Sequence, residues 1–163
     1  MEAEESIMGL QENLLNEPVR QLALREAITT SPDLPLREVI QRMREKGLGC
    51  VLVVDAEAKP IGMFTEAMLR HLLVENRAAL DHKVGQEMAN IFPWVELTDP
   101  ISTVLDAMQT KRHRFVAVVD ADGKVAGLTG QKGVMEYIAD HFPQHVLTQR
   151  AGAEPPLSER EGA

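Results

Sequence analysis

The sequence predicts an α+β fold made of two tandem copies of one small unit, each ordered strand, helix, strand, strand, helix, packed sheet to sheet. Three observations lead there. Shifted by 65 residues, the chain aligns with itself without a gap. Within each copy the apolar pattern switches from helical spacing to short continuous runs. A unit of roughly 60 residues buries only about 60% of its extended surface and is marginal alone, so two copies gain by hiding their sheets against each other.

The repeat is specific. Val19 and Gln21 fall on Val84 and Gln86, Pro35 on Pro100, Val39 on Val104, Met43 on Met108 and Lys46 on Lys111. Val51, Val53, Val54, Asp55 and Ala56 meet Val116, Val118, Val119, Asp120 and Ala121, then Lys59 meets Lys124 and Gly62 meets Gly127. The opening strands are expected at Ala27–Thr30 and Trp94–Leu97. Ser31-Pro32-Asp33-Leu34-Pro35 is turn chemistry ahead of a helix. Leu36, Val39, Ile40 and Met43 recur at helical spacing, and Ile101, Val104, Leu105 and Met108 repeat that stripe. Gly47 and Gly49 end the first helix. Cys50–Val54 and Phe115–Val119 are apolar runs that suit strands buried on both faces. Each turns at an Asp into a short return strand, Pro60–Phe64 or Val125–Thr129, forming a hairpin. A closing helix follows, carrying Met68, Leu69, Leu72 and Leu73, or Val134, Met135 and Ile138.

The expected organisation is a helical extension over 1–17, a first unit over 18–80, a second over 81–143 and a tail over 144–163. Ser6–Asn16 carries Ile7, Leu10 and Leu14 on one side and is expected to pack on the first unit or on a partner. Ala151–Ala163 has the Gly, Pro and Glu content of a disordered segment.

Composition narrows the function. Of 163 residues, 44% are hydrophobic and 4% aromatic, so the core is aliphatic. The formal charge of −8 lacks the basic balance of a nucleic-acid binder and argues against anionic lipid. Cys50 stands alone, which excludes an internal disulfide and a multi-cysteine zinc site; in its apolar run it reads as a small buried filler. The acidic start is not a signal peptide, and no apolar run reaches the roughly 20 residues of a membrane span. A cytoplasmic location is expected, with no nucleic acid and no membrane as partner.

The valine-rich strand closing on Val-Val-Asp, the hairpin, the glycine of the return strand and the 65-residue doubling together resemble the cystathionine β-synthase (CBS) domain, and the tandem resembles a Bateman module. The resemblance covers about Pro18–Phe142. It implies two CBS domains related by a pseudo-twofold axis, homodimerisation into a disc, and clefts that take AMP, ADP, ATP or S-adenosylmethionine. It also implies regulation of an effector protein, here in trans. No cofactor is required, and an adenine nucleotide or S-adenosylmethionine is the expected ligand.

The family's nucleotide signature is Gly-x-x-Ser/Thr-x-x-Asp, whose hydroxyl and helix N-terminus meet phosphate and whose Asp meets ribose. The first copy reads Gly62-Met63-Phe64-Thr65-Glu66-Ala67-Met68, keeping Thr65 and replacing the Asp by Met68. The second reads Gly127-Leu128-Thr129-Gly130-Gln131-Lys132-Gly133, with Gly130 and Gly133 at those two places. A ligand hydroxyl that loses such a charged partner forfeits roughly 1.5–3 kcal/mol. Thr65 has two readings, a helix N-cap and a phosphate contact. His113-Arg114, within Lys111-Arg112-His113-Arg114, resembles the His-Arg pair that reaches phosphates in the gamma subunit of AMP-activated protein kinase. The guanidinium fork and the readily charged imidazole suit an anion, and a solvated basic turn at a helix end is the competing reading. The first copy has Leu48-Gly49 there. By family analogy Thr29 and Thr30 line the first cleft, or else are ordinary strand polarity. Trp94 stacks on a base in the second cleft or serves as core or interface. The candidate ligand residues are thus Thr29, Thr30, Thr65, His113 and Arg114.

Catalytic signatures are missing: no Gly-x-Ser-x-Gly elbow, Walker loop or His-Glu-x-x-His helix occurs. Pro143 between His141 and His145 spoils a helical metal face. The expectation is a ligand sensor with no catalytic and no metal residues. A ligand-independent dimerisation module with degenerate clefts is the alternative.

Overall fold

The computed structural model describes residues 2–111 and 113–141. The described residues form six α-helices and two three-stranded sheets. Helix α1 (Glu2–Asn16) leads through a 3-10 turn (Val19–Gln21) to β1 (Ile28–Thr30), α2 (Leu36–Lys46), β2 (Cys50–Val54), β3 (Pro60–Thr65) and α3 (Glu66–Glu75). A second 3-10 turn (Arg77–Asp81) and the short α4 (Val84–Glu87) join this half to β4 (Trp94–Glu96), α5 (Ile101–Lys111), β5 (Phe115–Val119), β6 (Val125–Gly130) and α6 (Gln131–His141). The tail expected over 144–163 and Arg112 of the basic run lie outside the described residues.

The repeat in sequence is a repeat in hydrogen bonding. β1 pairs parallel with β2 and β2 antiparallel with β3; β4, β5 and β6 repeat this order. Cys50 faces Thr65 as Phe115 faces Gly130, and Leu52 faces Met63 as Ala117 faces Leu128. Even the register slip recurs, between Val53 and Val54 and between Val118 and Val119. The shared Asp explains the shared hairpin: Asp55 Oδ1 accepts from the amides of Glu57 (2.9 Å) and Lys59 (3.0 Å), and Asp120 Oδ1 from those of Asp122 (2.9 Å) and Lys124 (3.0 Å). The turn then needs one left-handed residue. The second half supplies Gly123 (φ 80°), while the first uses Ala58 (φ 65°), which costs of order 1–2 kcal/mol.

The sheets meet face to face. Leu52 and Met63 of one sheet share a core with Ala117 and Leu128 of the other. Behind the first sheet, Leu36, Val39 and Met43 of α2 cover Val51, Val53 and Phe64; behind the second, Ile101, Val104, Val134 and Tyr137 cover Val116 and Val118. Cys50 is buried, and burial pushes its thiol from 9.0 to about 12, so it is a neutral filler at physiological pH.

The segment leading into each half packs into the other. Val19 and Leu22 belong to the second core, and Val84, Met88 and Phe92 to the first. The amide of Val19 donates to Asp99 O (2.7 Å) and that of Ile101 to Glu17 O (2.9 Å). Val84 and Leu36 repeat this with Leu34 O and His82 O, each at 2.9 Å. Packing borders therefore differ from repeat borders. For the same reason α1 lies against α5, with Leu14 in the second core, which corrects the expectation that it would cover the first unit.

Candidate functional site

The lead-in segments also cross the return strands. Arg25 and Leu128 exchange two backbone hydrogen bonds, each 2.9 Å, and Met63 and Ala89 do the same at 3.0 and 2.9 Å. This explains the shared glycine of each return strand. A Cβ at Gly62 would sit 2.2 Å from Met88 Sδ, and one at Gly127 would sit 3.1 Å from Leu24 Cβ. At each crossing a cleft can form between the lead-in segment, the end of the return strand and the start of the closing helix.

In the second half that cleft is open. A cavity of about 120 Å³ is lined by Ala23, Arg25, Arg114, Phe115, Thr129, Lys132, Gly133 and Glu136, with Leu128 and Gly130 completing the wall. Arg25, Arg114 and Lys132 are exposed cations at its rim, facing one carboxylate, Glu136. On its inner side stands Thr129, 5% exposed, whose Oγ1 is the buried side-chain oxygen without a hydrogen-bond partner among the described residues. A Cβ at Gly133 would lie 2.7 Å from that oxygen, so the hydroxyl is sealed against the first turn of α6. Gly130 is required for another reason: a Cβ there would sit 2.1 Å from Arg114 O. That contact brings Arg114 over the start of α6.

In the first half the same three places are filled. Phe64, Met68 and Met88 stand where the second half has Thr129, Gly133 and Ala23, and all three pack in the first core. Gly49 occupies the place of Arg114, and a Cβ on it would meet Glu66 Oε2 at 3.2 Å. Where the second cleft has a guanidinium, the first has a carboxylate nearby.

The residues singled out from sequence are spread over these surroundings. Arg114 lines the open cavity; His113 is half-buried just before it and is not part of the lining. Thr65 caps α3, its Oγ1 accepting from the amide of Met68 at 3.3 Å. Thr30 is buried and its hydroxyl donates to Ser31 O (3.2 Å). Thr29 is exposed, and its carbonyl accepts from Arg42 Nη1 (3.4 Å). It lines a neighbouring groove with Glu26, Ala27, Val54, Ala58 and Val125–Gly127, about 220 Å³ in volume. Thr29 and Arg114 thus flank the same lead-in segment without meeting in one cavity. Trp94 is not core: it is 55% exposed in a separate groove with Phe92 and Thr103. His141 stacks on Tyr137, centroids 4.1 Å apart, and His145 lies outside the described residues. Among the described residues no cluster of three His, Cys, Asp or Glu could hold a metal, and no helix is long and apolar enough to cross a membrane.

Sequence reasoning missed Arg25, Lys132 and Thr129. Thr129 was hidden by the motif, because Gly130 occupies the hydroxyl place. The aligned copies carried the signal: Phe64 over Thr129, Met68 over Gly133 and Met88 over Ala23 are three large-to-small exchanges around one point.

The family model for the CBS domain matches residues 19–75 and again 84–140. An uncharacterised protein of Methanopyrus kandleri is 29% identical over 119 residues, covering 72% of this chain and 61% of that protein. An uncharacterised protein of Methanocaldococcus jannaschii, MJ1232, is 25% identical over 133 residues, 82% of this chain and 43% of that one. The chain therefore spans about half the length of these two relatives. The crystal structure of the CBS-domain containing protein ATU1752 from Agrobacterium tumefaciens has a TM-score of 0.62 at 25% identity, over 69% of this chain and 84% of that one. The CBS domain pair of protein MJ0100, solved in complex with 5'-methylthioadenosine and S-adenosyl-L-methionine, has a TM-score of 0.67 over 76% of this chain and 97% of that one; at 17% identity this is a likeness of fold.

Proposed function

The chain belongs to the CBS domain family, as a tandem pair, and from that premise we propose that it is a ligand sensor that binds an adenylate-type small molecule and acts on an effector protein in trans. CBS pairs are regulatory ligand-binding modules, and nothing in this chain points to catalysis. The observation that carries the reading is the open cavity of the second half, with the three cations Arg25, Arg114 and Lys132 in its lining. AMP, ADP, ATP and S-adenosylmethionine are the candidate ligands, and the ligands named for the MJ0100 pair support an adenosyl compound. Arg114 is assigned to the ligand's anionic group, and Thr29 to the neighbouring groove on the same lead-in segment.

Calorimetry with the four ligands tests this. Binding of at least one is expected, and Arg114→Ala should then weaken it by about 1.5–3 kcal/mol, as for a hydrogen bond to a charged group. No binding of any of the four at millimolar ligand would leave the dimerisation module as the better reading.

A homodimer is part of the proposal. Val74 on α3 and Met135 on α6 are apolar and exposed and offer a surface for a second copy. Light scattering should report twice the chain mass of 18.1 kDa; only the 18.1 kDa species at micromolar concentration would remove the dimer.

A further inference from the structure

Resting on the reading that the chain acts on a protein partner in trans, we infer that the outer edge of β4 beside α5 is the surface that receives it, and that this edge fits an extended, basic peptide segment laid alongside Trp94.

The two halves differ at equivalent places on their outer strands. β1 and β4 each form one edge of a sheet. The 65-residue register sets Trp94 on Thr29, Ala107 on Arg42, Asp106 on Gln41 and Ile91 on Glu26. At β1 the edge is closed: Arg42 Nη1 reaches over from α2 and donates to Thr29 O at 3.4 Å. A charged side chain laid on an edge keeps other strands off it. At β4 that reach is missing, because the methyl group of Ala107 stands where the guanidinium would start.

The ladder shows what β4 leaves open. Pro93 O accepts from the amide of Ala117 (3.0 Å), and the amide of Leu97 donates to Val119 O (3.0 Å). The alternate residues Trp94 and Glu96 therefore turn their amides and carbonyls away from β5. Glu96 is satisfied by the turn that follows: its amide donates to Asp99 Oδ2 (2.8 Å), and its carbonyl accepts from the amide of Asp99 (3.0 Å). Trp94 has no such partner among the described residues. One backbone donor and one acceptor thus face outward beside an indole that is 55% exposed, with Ile91 exposed just before it. A strand laid alongside supplies both hydrogen bonds and an apolar contact at once.

Charge selects the occupant. The groove between β4 and α5 is lined by the carboxylates of Asp99 and Asp106 and by no Lys or Arg, and exposed Glu96 follows Trp94 on the strand. The equivalent groove of the first half sets Arg25, Arg42 and Lys46 against Glu26 and Glu45. Like charges directly opposite one another destabilise a strand pair, so a second copy meeting this edge across β4 is disfavoured, all the more in a chain of formal charge −8. Nucleic acid is disfavoured by the same sign. Arginine on a partner segment pairs with the carboxylates and lies on the indole face. The elements that carry Val74 and Met135, offered above to a second copy, are α3 and α6, so the two contacts use different parts of the chain.

Trp94 is the only tryptophan in the sequence, so its emission reports on this edge alone. The probe is a synthetic peptide of alternating Arg and Val, titrated into the full chain at low ionic strength without nucleotide. A saturable blue shift is expected, and a peptide of alternating Glu and Val should bind at least about 10-fold more weakly. N-methylation of the Arg-Val peptide's backbone amides should also weaken it about 10-fold, by removing the donor that meets Trp94 O. Ala107→Arg, which copies Arg42 onto the β4 edge, should weaken the peptide at least about 10-fold. No emission shift, equal affinity for the acidic or the methylated peptide, or indifference to Ala107→Arg would overturn the inference. Emission of the chain alone that moves to the red on dilution would assign the edge to a second copy and overturn it as well. AMP calorimetry on the same wild-type sample separates this surface from the sensor reading. AMP binding without peptide binding removes the surface and keeps the sensor, and peptide binding without AMP binding keeps the surface and removes the nucleotide.

Discussion

The two halves share a backbone register down to the slip in the second strand, yet one cleft is filled with Phe64, Met68 and Met88 and the other is left open by Thr129, Gly133 and Ala23. The difference separates what makes the scaffold from what makes the site. Residues common to both copies, such as Val53-Val54-Asp55, Gly62 and their counterparts, build strands, hairpins and crossings. Three exchanges, Phe64 for Thr129, Met68 for Gly133 and Met88 for Ala23, set the two clefts apart. The filled cleft strengthens its half through apolar packing, and the open cleft gives up that packing and carries exposed cations instead.

Equivalent substitutions in the two halves should therefore behave unequally. Phe64→Ala should give the largest effect, a loss of about 3–5 kcal/mol in denaturant unfolding, since Phe64 is fully buried in a well-packed core. A loss below about 1 kcal/mol would mean that the first cleft is not packed as described. The position aligned with Thr65 comes next. Gly130→Ala forces a methyl onto Arg114 O and should cost about 3 kcal/mol. Thr65→Ala removes only a helix cap and should cost about 1 kcal/mol. Equal costs at these two positions would contradict the close approach of Arg114 to the start of α6.

Much of this was legible in the sequence because it is written twice. Asp55 and Asp120, Gly62 and Gly127, and the two valine-rich strands each have one physical job, so both copies kept the residue. The crossing of the lead-in segments was harder to see. Its trace is the identity of Val19 with Val84 and of Gln21 with Gln86, which begins the repeat before the first strand, but one-dimensional spacing does not say which core a buried valine enters. Thr65 and Thr30 were legible as polar residues near a cleft, yet their hydroxyls are engaged by backbone partners, a competition that only coordinates reveal. Thr129 was the reverse case: it reads as an ordinary strand residue, and only the coordinates show that its buried hydroxyl has no hydrogen-bond partner among the described residues.

The central claim is that one cleft of the pair is built to take a ligand and the other is closed by its own side chains. The most direct measurement is the number of AMP molecules bound per chain, by calorimetry, in the wild type and in Gly133→Met, which copies Met68 into the open cleft. One per chain is expected, abolished in Gly133→Met. Two per chain, or one that survives the substitution, would place ligand in the half described here as filled.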